Sequence, residues 1–255
     1  MSTGLLIAVA ALWGAATGML LPRAAYRFSA PSGEPWRELC PGEHPISGWI
    51  GRARCPQCAG AASAAGADTA VPKSPYGPAA VPLATSTALV CAALAAATGT
   101  RPELLVWLLL APVGVLLAVV DFRVQRLPDV LTLPLAGAAL VLLGLTALVP
   151  EHAGDWPTAL YGALVLGAAF FVLFLINPGG MGFGDVKLAL GLGAVLGWYG
   201  WPTVMLGTFA AFLLGALYGG ALVVVRRAGR KTAIAFGPFL ISGAFVGLLI
   251  GAYAA

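Results

Sequence analysis

Apolar residues in this chain come in long runs, and polar residues gather between them. The runs extend from about Gly4 to Leu21, Val81 to Ala97, Leu104 to Val120, Val130 to Val149, Pro157 to Ile176, Val186 to Trp198, Pro202 to Val225 and Ala235 to Ala254. Most approach the ~20 residues that a helix rising 1.5 Å per residue needs to cross a hydrocarbon core of about 30 Å. They predict an all-α polytopic membrane protein of about eight transmembrane helices. The sixth run, Val186 to Trp198, is the short one.

Composition agrees with a lipid-bilayer setting. Of 255 residues 60% are hydrophobic and only 9% charged, against about 25% charged in soluble domains, and the mean hydropathy is +0.92. The net charge is +4, which by itself invites a nucleic-acid partner. The basic residues lie instead in short loops beside the apolar runs, where topogenesis explains them and no nucleic-acid footprint is needed. With the N-terminus outside, every Lys and Arg except Arg101 falls on one side, including Arg23, Arg27, Arg123, Arg126, Lys187 and the group Arg226, Arg227, Arg230 and Lys231. By the positive-inside rule that side is the cytoplasm, and the short sixth run must then be a true crossing. The first run lacks a basic segment before it, and its arginines follow it, so it reads as a retained span and not as a signal peptide. Three parts result: a first helix over 1–21, a cytoplasmic insert over 22–80 and a transmembrane bundle over 81–255.

The insert holds three of the four cysteines. Cys40, His44, Cys55 and Cys58 read C-x3-H-x10-C-x2-C. The Cys55–Cys58 pair can present two thiolates to one tetrahedral zinc, with Cys40 and His44 as the other ligands. Unligated thiols and a disulfide are the alternatives, the last disfavoured in a reducing compartment. Residues 59–80 are rich in Ala, Gly and Pro and read as a flexible tether. Cys91, inside the second run, reads as a small packing residue.

Two carboxylates stand out against so apolar a background. Asp121 ends one run, and Asp185 sits in the glycine-dense stretch Gly180-Met-Gly-Phe-Gly-Asp185-Val-Lys-Leu188. A charged side chain at the bilayer centre costs roughly 2.5–3.5 kcal/mol on insertion scales, so an acid at the mouth of a membrane helix calls for a function. Two acids on facing helix ends can share one proton and act as an acid/base pair. The ionised member takes a proton from an attacking water while the protonated one holds a carbonyl oxygen. Gly182 and Gly184 suit the close approach of an extended substrate, since they lack Cβ atoms. Singly, each acid has a plainer reading: Asp121 as an interfacial acid beside Arg123 and Arg126, Asp185 as a cap on the next helix. Asp129 reads as a helix cap, and Lys187 as a side chain snorkelling to the interface. Gly193 and Gly197, Gly215 and Gly219, and Gly243, Gly247 and Gly251 have the spacing of close helix contacts.

Asp121 in D-x6-P-D, followed by Leu131-Thr132-Leu133-Pro134, together with Gly182-Phe-Gly184-Asp185-Val-Lys, resembles the signature of the bacterial type IV prepilin peptidases, membrane aspartic proteases of the GxGD type. Phe236-Gly-Pro-Phe-Leu240 resembles that family's late motif, and the insert sits where the family carries its zinc-binding domain. The resemblance implies that Asp121 and Asp185 are catalytic. It further implies cleavage of prepilin or pseudopilin leaders at the cytoplasmic face of the bacterial inner membrane. Many members also N-methylate the new terminus with S-adenosylmethionine. The usual insert carries two Cys-x-x-Cys pairs, whereas here Cys40-Pro-Gly-Glu-His44 replaces one of them. No glycine-rich nucleotide loop after a strand supports a cofactor fold independently. The rival from another class is a proton-coupled transporter with the acids as a relay.

Overall fold

The computed structural model describes residues 2–64, 75–225 and 235–255, with the side chains of 61–64 left aside. Arg226, Arg227, Arg230, Lys231 and the centre of the expected tether lie outside the described residues. Ten helices are described: α1 Thr3–Gly18, α2 Leu21–Phe28, α3 Pro56–Ala64, α4 Ala80–Thr98, α5 Glu103–Val124, α6 Asp129–Thr146, α7 Trp156–Ile176, α8 Phe183–Gly197, α9 Trp201–Val224 and α10 Gly237–Ala254. Among the described residues there is no strand, only an isolated antiparallel bridge between Leu39 and Pro45.

The eight apolar runs correspond to α1 and α4 to α10, but they are not equal. Six helices, α4 to α7 with α9 and α10, are long and apolar enough to cross a membrane, and the α1–α2 pair makes a seventh candidate if it is one span with a 46° bend. The sixth run becomes α8, which has 15 residues and so rises only about 22 Å. It starts at Phe183, earlier than its apolar run, because the glycine stretch before it enters the helix.

Short α8 is the centre of the bundle, lying against α7, α6, α9 and α10. Its small residues allow this. A Cβ on Gly193 or Gly197 would collide with the backbone of α7 at Gly162 or Thr158, and one on Gly243, Gly247 or Gly251 of α10 would strike α9. These are the close contacts expected from the spacing, and they extend to Gly14 and Gly18 of α1 against α4. Gly215 differs, since its nearest neighbour is the ring of Phe236. Cys91 is fully buried in one apolar core, with Trp107, Leu143 and Trp198; Phe170, Leu188, Leu196 and Leu240 lie in a second.

Both ends of the stretch read as a tether are described. Residues 59–64 belong to α3, because Pro56 at its start and the alanines after it suit a helix. Tyr76 packs edge-on against Tyr26, and its N–H donates to the Ala53 carbonyl. Helix α2 lies on α5, with Ala24, Ala25 and Phe28 against Leu116 and Val120.

Candidate active site

Asp121 is in the last turn of α5. That helix ends at Gln125, in the left-handed conformation (φ 51°), whose N–H donates to the Asp121 carbonyl. Pro128, three residues on, cannot continue a helix. Asp185 is the third residue of α8, and its Oδ2 accepts the N–H of Gly182, 3.3 Å away. The capping bond that sequence allowed for Asp185 therefore exists, and it is half of a capping box. It occupies one oxygen only. Oδ1 of Asp185 is buried without a partner.

Both acids line one open cavity of about 1000 Å³. They are nearly buried, at 5% and 6% exposure. The stretch Asn177 to Gly184 forms one wall, Gln125 to Leu127 another, and Phe212, Phe236 and Phe239 an aromatic side. Neither acid has an ion-pair partner among the described residues. Arg126, on the cavity wall, donates to backbone carbonyls of the insert.

Gly237 is a site residue that sequence reading passed over. Its N–H donates to Oδ2 of Asp121 at 3.0 Å, across 116 positions of chain. A Cβ there would lie 2.6 Å from that oxygen, so only glycine lets α10 come so near. The Phe236–Leu240 motif was the available signal. Gly182 and Gly184 both border the cavity, but Gly184 has a packing reason to be glycine as well: a Cβ would sit 2.8 Å from Cβ of Leu127.

Asp129 and Lys187 behave otherwise than expected. The cap of α6 is Pro128 with no side-chain cap bond, and Asp129 pairs with Lys187 at 2.6 Å. Lys187 also stands over the Phe183 ring, 4.9 Å from its centroid. A carboxylate within reach draws the ammonium sideways, and the pair ties the start of α6 to the start of α8.

In the insert, Cys40, His44, Cys55 and Cys58 converge, their ligand atoms all within 4.8 Å of one another. Cys40 Sγ is 3.7 Å from Cys58 Sγ, and Nδ1 of His44 is 3.6, 3.5 and 3.4 Å from the three sulfurs. Tetrahedral zinc, with Zn–S of about 2.3 Å and Zn–N of about 2.05 Å, requires roughly 3.8 Å between sulfurs and roughly 3.6 Å from sulfur to nitrogen. The four residues fit a closed zinc site, and no disulfide joins the cysteines. The Cys58 backbone N–H holds the Cys55 thiol down to about 7, and burial pushes Cys58 up to about 11. Zinc takes thiolates, so loading the site would release protons. Gly42 makes room, since a Cβ there would lie 2.7 Å from Cys58 Sγ.

Residues 103–220 match the type IV leader peptidase family. That segment contains both aspartate motifs and leaves out the zinc cluster and Gly237. The chain is also similar to curated proteins named prepilin leader peptidase/N-methyltransferase. That of Aeromonas salmonicida strain A449 is 38% identical over 150 residues, 58% of this chain and 48% of the relative. That of Pseudomonas aeruginosa is 36% identical over 151 residues, 58% and 48% of the two chains. The Bacillus subtilis protein is 31% identical over 172 residues, 64% of each. The chain thus spans about half the length of the first two of these relatives. No solved structure matches it.

Proposed function

We propose that the protein is a membrane aspartic endopeptidase that removes leader peptides from type IV prepilins or pseudopilins at the cytoplasmic face of the bacterial inner membrane. The observation that carries this reading is the placement of Asp121 and Asp185, from motifs 64 positions apart, on one open cavity, neither of them in an ion pair among the described residues. The family match and the names of the relatives support the substrate class, and the distribution of Lys and Arg supports the orientation.

Each carboxylate has one oxygen held by a backbone N–H, Gly237 on Asp121 and Gly182 on Asp185. The buried, partnerless Oδ1 of Asp185 is the natural seat of the shared proton, since two close carboxylates do not both ionise cheaply. Asp121 then takes a proton from water as the water attacks the scissile carbonyl, and Asp185 donates its proton to the carbonyl oxygen. On collapse of the tetrahedral intermediate the leaving amine is protonated from the pair. Zinc on Cys40, His44, Cys55 and Cys58 would hold the insert together and takes no part in these steps. The N-methyltransferase activity in the relatives' names has no residue of this chain assigned to it.

The test is purified protein in lipid vesicles incubated with a prepilin and sized on a gel. The wild type should release the leader, and Asp121→Asn and Asp185→Asn should each abolish release while still inserting and folding. Full activity of either variant would remove that residue from the mechanism.

A further inference from the structure

Residues 30–36 follow α2 and lead toward Cys40, and they meet the bundle at the charged side chain of Arg126 as well as through Trp36, which packs against the Leu116 and Val120 cluster. Nη1 of Arg126 donates to the carbonyls of Pro31 at 2.8 Å, Glu34 at 3.1 Å and Ala30 at 3.4 Å. Its guanidinium lies 4.1 Å from the centroid of the Trp36 ring, and Trp36 packs edge-on against Phe28. Arg126 has no carboxylate partner among the described residues; carbonyl oxygens and a ring face take up its charge. The same stretch of insert places Ser32 on the wall of the cavity that holds the aspartates, beside Arg126 itself.

The next residue, Leu127, connects Arg126 to the acids. Leu127 is buried; its Cβ fills the space that a Cβ would need at Gly184, 2.8 Å away, and its Cδ1 is in van der Waals reach of Gly237, 3.4 Å from where a Cβ would stand. Gly184 immediately precedes Asp185, and the N–H of Gly237 holds Asp121. A shift of the 125–128 connection therefore moves the elements that position both carboxylates.

We propose that Arg126 is a positioning residue that makes the insert part of the peptidase, with the 30–36 segment setting the 125–128 connection through Arg126 and so the geometry of the aspartate pair. The inference rests on the peptidase reading. The arrangement is specific to arginine, since a lysine can donate to carbonyls but cannot also lay a planar cation on Trp36.

The experiment uses the full chain in lipid vesicles with a prepilin and measures three things on Arg126→Ala, Arg126→Lys and Trp36→Leu. Kinetics come first: kcat should fall by roughly ten- to a hundredfold in Arg126→Ala, the scale on which small misplacements act, with KM within about twofold. Arg126→Lys should recover part of the loss, and Trp36→Leu, which keeps the site apolar, should lose kcat less than Arg126→Ala. Zinc content should stay at the wild-type level in all three. Trypsin cleavage after Arg37 should be faster in Arg126→Ala than in the wild type. Unchanged kcat, or a loss confined to KM, in Arg126→Ala and Trp36→Leu would overturn the inference. An unchanged trypsin rate would overturn the clamp itself, a result that can be read even if the wild type cleaves no prepilin and the peptidase reading falls.

Discussion

The two ends of the bundle each bury acid and treat it oppositely. At one end Glu103 is completely buried, and its Oε1 accepts from the Tyr199 hydroxyl at 3.2 Å and the Ala153 N–H at 3.4 Å, with Arg101 at 3.9 Å. Arg101 in turn donates to the Ala252 carbonyl, so the cluster joins the start of α5, the α6–α7 loop, the α8–α9 turn and the end of α10. At the other end Asp121 and Asp185 have no ion-pair partner among the described residues, one backbone N–H each and an open cavity in front. Burial alone does not mark a catalytic acid. A buried carboxylate with a cation and a phenol beside one of its oxygens is tied to the neighbouring elements, whereas one given only backbone donors and access to a cavity is a candidate for chemistry.

Changes at the cavity end should act on rate. Beyond Asp121→Asn and Asp185→Asn, Gly237→Ala should be the most damaging, because the added methyl displaces Asp121 Oδ2. We expect kcat to drop roughly a hundredfold. Wild-type kcat in that variant would show that the Gly237 contact does not set the position of Asp121. In the insert, Cys55→Ser combined with Cys58→Ser should release the metal. Metal analysis should find about one zinc per wild-type chain and none in the variant, with faster proteolysis of residues 30–58, as expected of a small site that folds on its ion. Wild-type protein purified without chelator and free of zinc would refute the site.

At the closed end the expected effect is on stability. Glu103→Gln keeps the shape but removes the charge facing Arg101, which should cost about 1–3 kcal/mol and lower the melting temperature in detergent. The smallest effect should come from Asp129→Asn. Its pair with Lys187 has Asp129 largely exposed, and such pairs contribute about 0–1 kcal/mol, so cleavage should remain above half of the wild-type rate.

Much of the site could be read from residues, for physical reasons. Asp121 and Asp185 stood out because charge is costly in apolar runs, and Cys40, His44, Cys55 and Cys58 because zinc imposes ligand type and spacing. Gly237 did not stand out, as its contribution is a backbone N–H delivered across the whole bundle and no side-chain chemistry announces it. Arg126 looked like one more topogenic arginine, since its partners are carbonyls that sequence cannot display. Glu103 was overlooked although it stands next to an apolar run with Arg101 two residues away, which was a usable sign. The Asp129 cap failed because local capping rules cannot foresee Lys187, brought in from another helix. Helix α3 was hidden by a composition that suits a tether equally well, and α8 began early because glycines in the motif do not forbid a helix that tertiary contacts favour.

The contrast between the two ends is tested most directly by measuring leader cleavage and melting temperature side by side for Asp185→Asn and Glu103→Gln. Asp185→Asn should show no cleavage with an undiminished melting temperature, and Glu103→Gln retained cleavage with a lowered melting temperature. Cleavage by Asp185→Asn, or its loss in a Glu103→Gln protein that is still folded, would contradict the contrast.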